Sequence, residues 1–185
     1  MTQGVPVYVG DRGVFIREVV RAVSLYGDYQ VFLQANGFNG LIRRRLVSCV
    51  GRLSDLLAII KRNVDEVDAL VSRYGVNELI NDYVLLNATL HMLQVAIQAL
   101  IDMGSHIMVE KGLKAPSTYS EVPIYLGQVS IISDDDSRVF RRMIGFSNVL
   151  VHNYSQVSID VLREILAKAL YRDLLRIALS YMIMP

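Results

Sequence analysis

The residues from Val76 to Met108 read VNELINDYVLLNATLHMLQVAIQALIDMGSHIM and form the most apolar window of the 185-residue chain. A window of this length is long enough to span a membrane. Polar residues nevertheless recur within it at spacings of three or four, namely Asn87, His91, Gln94, Gln98, Asp102 and His106. These spacings place them on one stripe of a helix, where contact with lipid would carry a desolvation cost for each side chain. The pattern therefore predicts the central helix of a soluble bundle, with the stripe facing water, a cleft or a partner.

Helical periodicity extends over both flanks of this window, so the sequence predicts an all-α fold. Gly75 is expected to end one helix, Ser133 and Ser158 to cap two others, and Thr118 with Glu121 has the spacing of a capping box. We expect helices over residues 11–34, 41–60, 64–73, from 77 through the apolar window, 118–132, 134–154 and 159–182, and strand-like alternation over residues 5–9 alone.

Composition and charge narrow the functional classes. With 19 basic and 18 acidic residues the formal net charge is +1, so any contact with RNA must be local. Apolar residues make up 52% of the chain, which excludes a disordered protein. The single cysteine, Cys49, excludes an intramolecular disulfide and a cysteine-based zinc site, and indicates a reducing, cytoplasmic compartment. The first residues lack the basic and apolar segments of a signal peptide, so we expect a protein that is not exported.

Two groups of potential metal ligands are better explained without a metal. The carboxylates of Asp134–Asp136 follow the expected N-cap Ser133, where they complement the helix dipole and fan out over the helix surface. Asp102 and His106 share a helix face, but His91 lies about 16 Å from Asp102 along the axis. Two ligands do not make a metal site, so we expect no metal and no cofactor.

The segment that carries chemistry lies near the end of the helix expected over residues 134–154. Asn148 and His152 are four residues apart on one helix face, and Tyr154 follows at the helix end, so an amide, an imidazole and a phenol can converge. An imidazole near a helix C-terminus also commonly interacts with the helix dipole alone. Spacing by itself leaves a catalytic and a purely structural interpretation open.

At these residues the chain resembles the HepT-type toxins of the HEPN superfamily. Residues 145–154 read GFSNVLVHNY, similar to the family pattern G-F-R-N-x-L-V-H-x-Y. The likeness continues in residues 101–107 (IDMGSHI, similar to I-D-x-x-x-H-I), in residues 116–121 (PSTYSE), in Leu126 and in Ile159-Asp160. The resemblance covers the chain from Leu41 to the C-terminus.

The resemblance implies an antiparallel HEPN bundle of four to five helices over residues 41–185, with residues 1–40 as an N-terminal helical extension. It implies a homodimer that cuts RNA at the dimer cleft without a metal ion, with His152 as acid and base and Asn148 as the residue that positions the substrate. It also implies a partner, a minimal nucleotidyltransferase antitoxin, which neutralises the toxin by transferring AMP to Tyr154. The resemblance implies no association with a membrane.

One departure from the family concerns the arginine of the Arg-x4-His-x-Tyr motif, which is Ser147 here. A guanidinium suits two oxygens of the phosphorane formed during cleavage, and a short neutral hydroxyl cannot replace it in kind. Arg141 and Arg142 lie about 15 Å from His152 along a continuous helix, beyond the reach of an arginine within one protomer. A dimer can bring either arginine across, or both can simply solvate the helix surface. Asp102 is a candidate supporting partner of the His152 region.

Three functions remain open at this point. The leading one is a toxin-type endoribonuclease, which Asn148, His152 and Tyr154 favour. The second is a catalytically degenerate HEPN protein that binds a nucleotidyltransferase, which Ser147 favours. The third is a helical nucleotide-binding adaptor that presents a substrate to the transferase.

Overall fold

Six α-helices account for most of the residues that the computed structural model describes, and no strand occurs among those residues. The described backbone covers residues 40–152 and 158–182, and the described side chains cover residues 51–150 and 158–182. The helices are α1 (Gly40–Asn81), α2 (Tyr83–Glu110), α3 (Val122–Gln128), α4 (Asp134–His152), α5 (Ile159–Ala167) and α6 (Asp173–Met182), with short 3₁₀ turns at Tyr119–Glu121 and Leu170–Arg172. The predicted all-α class is confirmed.

The chain divides into two compact units, residues 1–52 together with Pro185, and residues 53–184. In the first unit the described backbone is helical from Gly40 onward. The helix expected over residues 11–34 and the alternation over residues 5–9 lie outside the described residues. The division into residues 1–40 and 41–185 therefore stays a prediction.

The predicted central helix is α2, which packs against α3, α4 and α6. Its first turn is capped by Asp82, whose carboxylate accepts hydrogen bonds of 2.8 Å from the backbone nitrogens of Val84 and Leu85. This cap makes α2 begin at Tyr83, later than the expected start near Asn77. The six residues of the predicted polar stripe are exposed or half-buried, whereas its buried residues include Leu90, Leu93, Ile97, Leu100, Met103 and Ile107.

Of the described helices, α2 alone is long and apolar enough to cross a membrane. This is weak evidence, because the core helix of a soluble protein passes the same test. The polar stripe, together with the packing of α2 against three other helices, favours the role of a core helix.

A single helix, α1, replaces the two helices expected over residues 41–60 and 64–73. Its apolar spacing continues through Ile60, Val64 and Val67, which are all at most 3% exposed, so nothing interrupts the helix between them. Gly75 provides the predicted break as a kink inside α1, with φ of 74° and ψ of 159°. A positive φ of this kind is readily adopted only by glycine.

One further predicted helix end and one predicted continuous helix are wrong. The helix expected to reach Ile132 ends at Gln128, and Ser130 follows with a φ of 57°. The helix expected over residues 159–182 is broken at Ala169, which has a left-handed φ of 50° between α5 and α6. The break was not visible in the sequence because no glycine or proline marks it.

The break at Ala169 is followed by two residues that form hydrogen bonds with α1, which is distant in sequence. Tyr171, only 3% exposed, donates a hydrogen bond to the Asp68 carboxylate of α1, and the Arg172 Nε donates to the same carboxylate at 3.0 Å. Burial, followed by the hydrogen bond to Asp68, raises the pKa of the Tyr171 phenol well above its usual value. The turn between α5 and α6 is thus tied to α1.

Gly104 lets α3 pack directly on the backbone of α2. A Cβ at this position would lie 2.7 Å from Val122 Cγ1 and 3.0 Å from Leu126 Cδ1, and both of these side chains are fully buried. The close approach explains a glycine in the middle of a core helix, where it is otherwise unfavourable.

Replacing Gly104 with alanine is therefore expected to lower the free energy of unfolding by about 1–3 kcal/mol, the usual cost of overpacking a core. Urea unfolding monitored by circular dichroism measures this change. Gly51→Ala is the matched control, because a Cβ at Gly51 in α1 would meet no atom within 4 Å. If both variants are as stable as the natural chain, or more so, Gly104 is not a packing requirement.

Candidate functional site

A cleft of about 500 Å³ lies where α2, α4 and the loop before α3 meet. It is lined by Ser105, Pro116, Ser117, Thr118, Tyr119, Ser120 and Asn148. These residues come from the three sequence segments that carry the motifs, residues 101–107, 116–121 and 145–154. The fold thus brings together motifs that are up to some forty residues apart in sequence.

The loop that forms one wall of the cleft is fixed by its own hydrogen bonds. The Glu121 carboxylate accepts a bond of 2.6 Å from the Ser117 nitrogen, and the Glu121 nitrogen donates to the Thr118 carbonyl at 3.1 Å. The predicted capping role of the Thr118 side chain is wrong, because that side chain makes no cap hydrogen bond. Tyr119 stands on this ordered turn with 54% of its surface exposed.

The opposite wall of the cleft is α4. Two adjacent motif residues, Ser147 and Asn148, point to different sides of this helix. Ser147 is only 8% exposed and lies on the same buried side as Ile144 and Leu150. Asn148 is exposed and lines the cleft. The amide predicted to position a substrate therefore reaches the cleft, whereas the residue that replaces the motif arginine is buried.

The start of α4 is held by two other elements. The predicted N-cap is confirmed, since the Ser133 hydroxyl accepts a hydrogen bond of 3.0 Å from the Asp136 nitrogen. The Asp136 carboxylate also pairs with Arg176 of α6, and Arg176 Nε donates to Asp173 at 2.9 Å. The Ser137 hydroxyl donates to the Pro123 carbonyl of α3 at 2.7 Å. These contacts fix the helix that carries Asn148.

The remaining predicted site residues are distributed along α2 and α4. Arg141 and Arg142 are both exposed on α4. Asp102 is half-buried on α2 and accepts a hydrogen bond of 2.9 Å from Gln98 Nε2, on the same helix. His152 is the last residue of α4, one turn beyond Asn148; its side chain, and the whole of Tyr154, lie outside the described residues.

The chemistry of the cleft is that of neutral hydrogen-bonding groups. All seven lining residues are uncharged, and five of them carry a hydroxyl. Hydroxyls and amides both donate and accept hydrogen bonds, as nucleobase edges and the ribose 2′-hydroxyl do. Among the described residues, no group of three or more histidine, cysteine, aspartate or glutamate side chains is placed to hold a metal ion.

Sequence reasoning missed the contribution of Ser105 and Tyr119 to this cleft. Ser105 lies between two residues of the predicted polar stripe, and Tyr119 lies inside the predicted capping box, but neither pattern assigns these two side chains to a site. A proline-flanked loop with several hydroxyls and one aromatic residue, Tyr119, was the available signal, but nothing local indicates which helix such a loop faces.

A family model described as Ribonuclease HepT-like matches residues 60–180, well over half of the chain. The chain belongs to the HepT-like family. The resemblance noted in the sequence is thereby confirmed. Among curated proteins, the mRNA nuclease HepT of Shewanella oneidensis is 26% identical to the chain over 106 residues, which cover 57% of the chain and 77% of that relative.

Solved structures share this fold. A tri-AMPylated HEPN toxin of Shewanella oneidensis in complex with its MNT antitoxin is 21% identical, with a TM-score of 0.62 over 68% of this chain and 95% of that one. A toxin–antitoxin complex with AMP-PNP is 22% identical, with a TM-score of 0.64 over 70% of this chain and 97% of that one. These likenesses confirm the predicted HEPN-type helical bundle.

Proposed function

We propose that this HepT-like chain is the toxin of a toxin–antitoxin pair and cuts RNA as a homodimer in the cytoplasm. The main observation in support of this function is the cleft, which is lined by Asn148 of α4, Ser105 of α2 and the loop of residues 116–120. His152 follows Asn148 by one helical turn, about 6 Å along the axis. The nuclease name of the curated relative supports the same activity.

The proposed reaction is an internal transesterification that needs no metal ion. The ribose 2′-oxygen attacks the adjacent phosphorus, the bond to the 5′-oxygen breaks, and the products are a 2′,3′-cyclic phosphate and a 5′-hydroxyl. One proton leaves the 2′-hydroxyl and one is delivered to the departing 5′-oxygen, which are transfers that an imidazole mediates near neutral pH. We assign them to His152, and the placement of the ribose and phosphate to Asn148.

The second candidate is a HepT-like protein that no longer cuts RNA and only binds its partner. Ser147 favours this alternative, because it is neutral and only 8% exposed. Loss of a donor that stabilises the negatively charged transition state typically costs about 100- to 1000-fold in rate. A natural chain without detectable cleavage would be the expected result under this alternative.

The proposed partner is a minimal nucleotidyltransferase that transfers AMP to Tyr154. The support comes from a relative with the same fold, which is described as tri-AMPylated and in complex with an MNT antitoxin. Phosphates added two residues after His152 would repel the RNA backbone by like charge and would hinder its binding sterically.

Cleavage of total RNA in the presence of EDTA decides between the two candidates. We expect the natural chain to cut, and Ser147→Arg, which restores the arginine of the family motif, to cut at least as fast. If only Ser147→Arg cuts, the natural chain is the degenerate partner. Circular dichroism of the arginine variant serves as the control, since residue 147 is buried. If the folded arginine variant is also inactive, the nuclease proposal is wrong.

Tyr119 is expected to stack on a base of single-stranded RNA, because its exposed ring lines the cleft on an ordered turn. Stacking of one base on an aromatic side chain contributes about 1–3 kcal/mol, so Tyr119→Ala should weaken binding by roughly 5- to 150-fold. Fluorescence anisotropy with labelled RNA, in a His152→Ala background that prevents cleavage, measures the affinity. Tyr119→Phe keeps the ring and should bind like the parent; a similar loss in both variants contradicts stacking.

A further inference from the structure

The hydrogen-bonding groups of the cleft differ in how far they are shielded from water. Ser105 of α2 and Ser120 of the 3₁₀ turn are half-buried, whereas Ser117, Thr118 and Asn148 are exposed. The two half-buried serines belong to separate elements, and both of them line the cleft. The less exposed part of the cleft therefore offers two hydroxyl groups to a bound molecule.

The shape of the loop does not depend on these hydroxyls. The Glu121 carboxylate accepts a hydrogen bond from the Ser117 nitrogen, and the Glu121 nitrogen donates to the Thr118 carbonyl, so the loop is held through its main chain. The Thr118 side chain makes no cap hydrogen bond. In the part of the chain whose side chains are described, the Ser105 and Ser120 hydroxyls form no hydrogen bond with the protein either. Both hydroxyls are therefore available to a molecule in the cleft.

The lining of the cleft suits both the flat face and the polar edge of a nucleobase. Tyr119 stands on the same turn as Ser120, and 54% of its surface is exposed. Aromatic rings stack on the unpaired bases of single-stranded RNA. Hydroxyl groups pair with base edges, because they both donate and accept hydrogen bonds. The volume of about 500 Å³ is within the range of pockets that enclose small ligands, so the cleft can hold a nucleoside.

We propose that the cleft holds one unpaired base of the RNA substrate, and that Ser105 and Ser120 distinguish this base from the other three. The assignment rests on the proposed ribonuclease function. His152 follows Asn148 by about 6 Å along the axis of α4, so the base in the cleft lies close to the bond that is cut. The chain then cuts single-stranded RNA beside a preferred base, and it cuts duplex RNA less readily because the bases of a duplex are paired.

Binding of free nucleosides tests the cleft without relying on cleavage. Adenosine, guanosine, cytidine and uridine are each titrated into the full natural chain, and NMR spectra follow its backbone amides. We expect one nucleoside to bind more tightly than the other three and to shift the amides of Ser105, Tyr119 and Ser120. Ser105→Ala and Ser120→Ala should each weaken this binding by about 2- to 10-fold, the usual effect of one neutral hydrogen bond. Ser54→Ala is the matched control, because Ser54 is half-buried on α1 and does not line the cleft.

Sequencing of cleavage products tests whether the base belongs to the substrate RNA. In a library of random single-stranded RNA that is cut in EDTA, we expect the base of the preferred nucleoside to be enriched at one fixed position beside the cut. Ser105→Ala and Ser120→Ala should each reduce this enrichment by about 2- to 10-fold. A serine with a purely structural role would change the overall rate and leave the base preference as it is.

The two experiments separate this proposal from the ribonuclease function. Cleavage without a base preference, or with a preference that both alanine variants retain, would refute the reading of a base by the cleft and leave the ribonuclease function intact. Nucleoside binding by a chain that cuts no RNA would refute the ribonuclease function and assign the cleft to a free nucleotide. Equal losses of nucleoside binding in Ser54→Ala and Ser105→Ala would overturn the assignment of Ser105.

Discussion

Cleavage of RNA by the His152→Ala variant is expected to be about 100- to 10,000-fold slower than cleavage by the natural chain, the range that general acid–base catalysis contributes. The reaction needs one group that accepts a proton from the 2′-hydroxyl and returns one to the 5′-oxygen. An imidazole exchanges protons near neutral pH, whereas the Asn148 amide and the hydroxyls that line the cleft do not. Initial rates on single-stranded RNA in EDTA measure the loss.

His91→Ala is the matched control for this experiment. His91 is exposed on α2, and it lies fourteen residues before Ser105, about 21 Å from the cleft along the helix axis. This variant should cut RNA at the natural rate and unfold at the same temperature as His152→Ala. If the two histidine variants are equally active, His152 is not the acid and base of the reaction.

A second large effect is expected on the transfer of AMP to Tyr154. Tyr154→Phe is expected to abolish AMP transfer by the cognate nucleotidyltransferase, because in the proposed reaction the phenol oxygen attacks the α-phosphorus of ATP as pyrophosphate leaves. Phenylalanine has no such oxygen. Intact mass spectrometry after incubation with the partner and ATP measures the added adenylyl groups, and the variant should continue to cut RNA in this mixture.

Tyr83→Phe is the control for the modification, since Tyr83 at the start of α2 is 80% exposed and offers a phenol of the same chemistry. This variant should accept AMP like the natural chain. Adenylyl groups on Tyr154→Phe, or a natural chain that is unmodified at Tyr154, would show that another residue is the acceptor.

Much of the fold is encoded locally and was predicted for that reason. The polar stripe of α2 and the cap at Ser133 depend on side chains within a few residues of the backbone that they affect. The break at Ala169 was missed, because it accompanies contacts of Tyr171 and Arg172 with Asp68, about a hundred residues earlier. Such long-range contacts leave no periodic signal in the sequence.

In the candidate site, too, locally encoded features were predicted and features that depend on long-range contacts were not. The helical spacing of Asn148 and His152 predicted a shared face, and the structure places Asn148 in a cleft. The other wall was not predicted, because the loop with Tyr119 comes directly before α3, and α3 packs on α2 at Gly104, a contact between segments about twenty residues apart. Spacing within one helix cannot indicate which loop packs against it.

Because α4 is anchored at its first turn, the segment between this anchor and the cleft does not tolerate insertions or deletions. Asp136 is bound by Arg176, and Asn148 follows twelve residues later. Deleting or inserting one residue between them would rotate Asn148 by about 100° and remove it from the cleft, even if every side chain in between were suitable. The exposed positions of this segment can therefore accept substitutions, while the number of residues between the anchor and the amide is fixed by the helix itself.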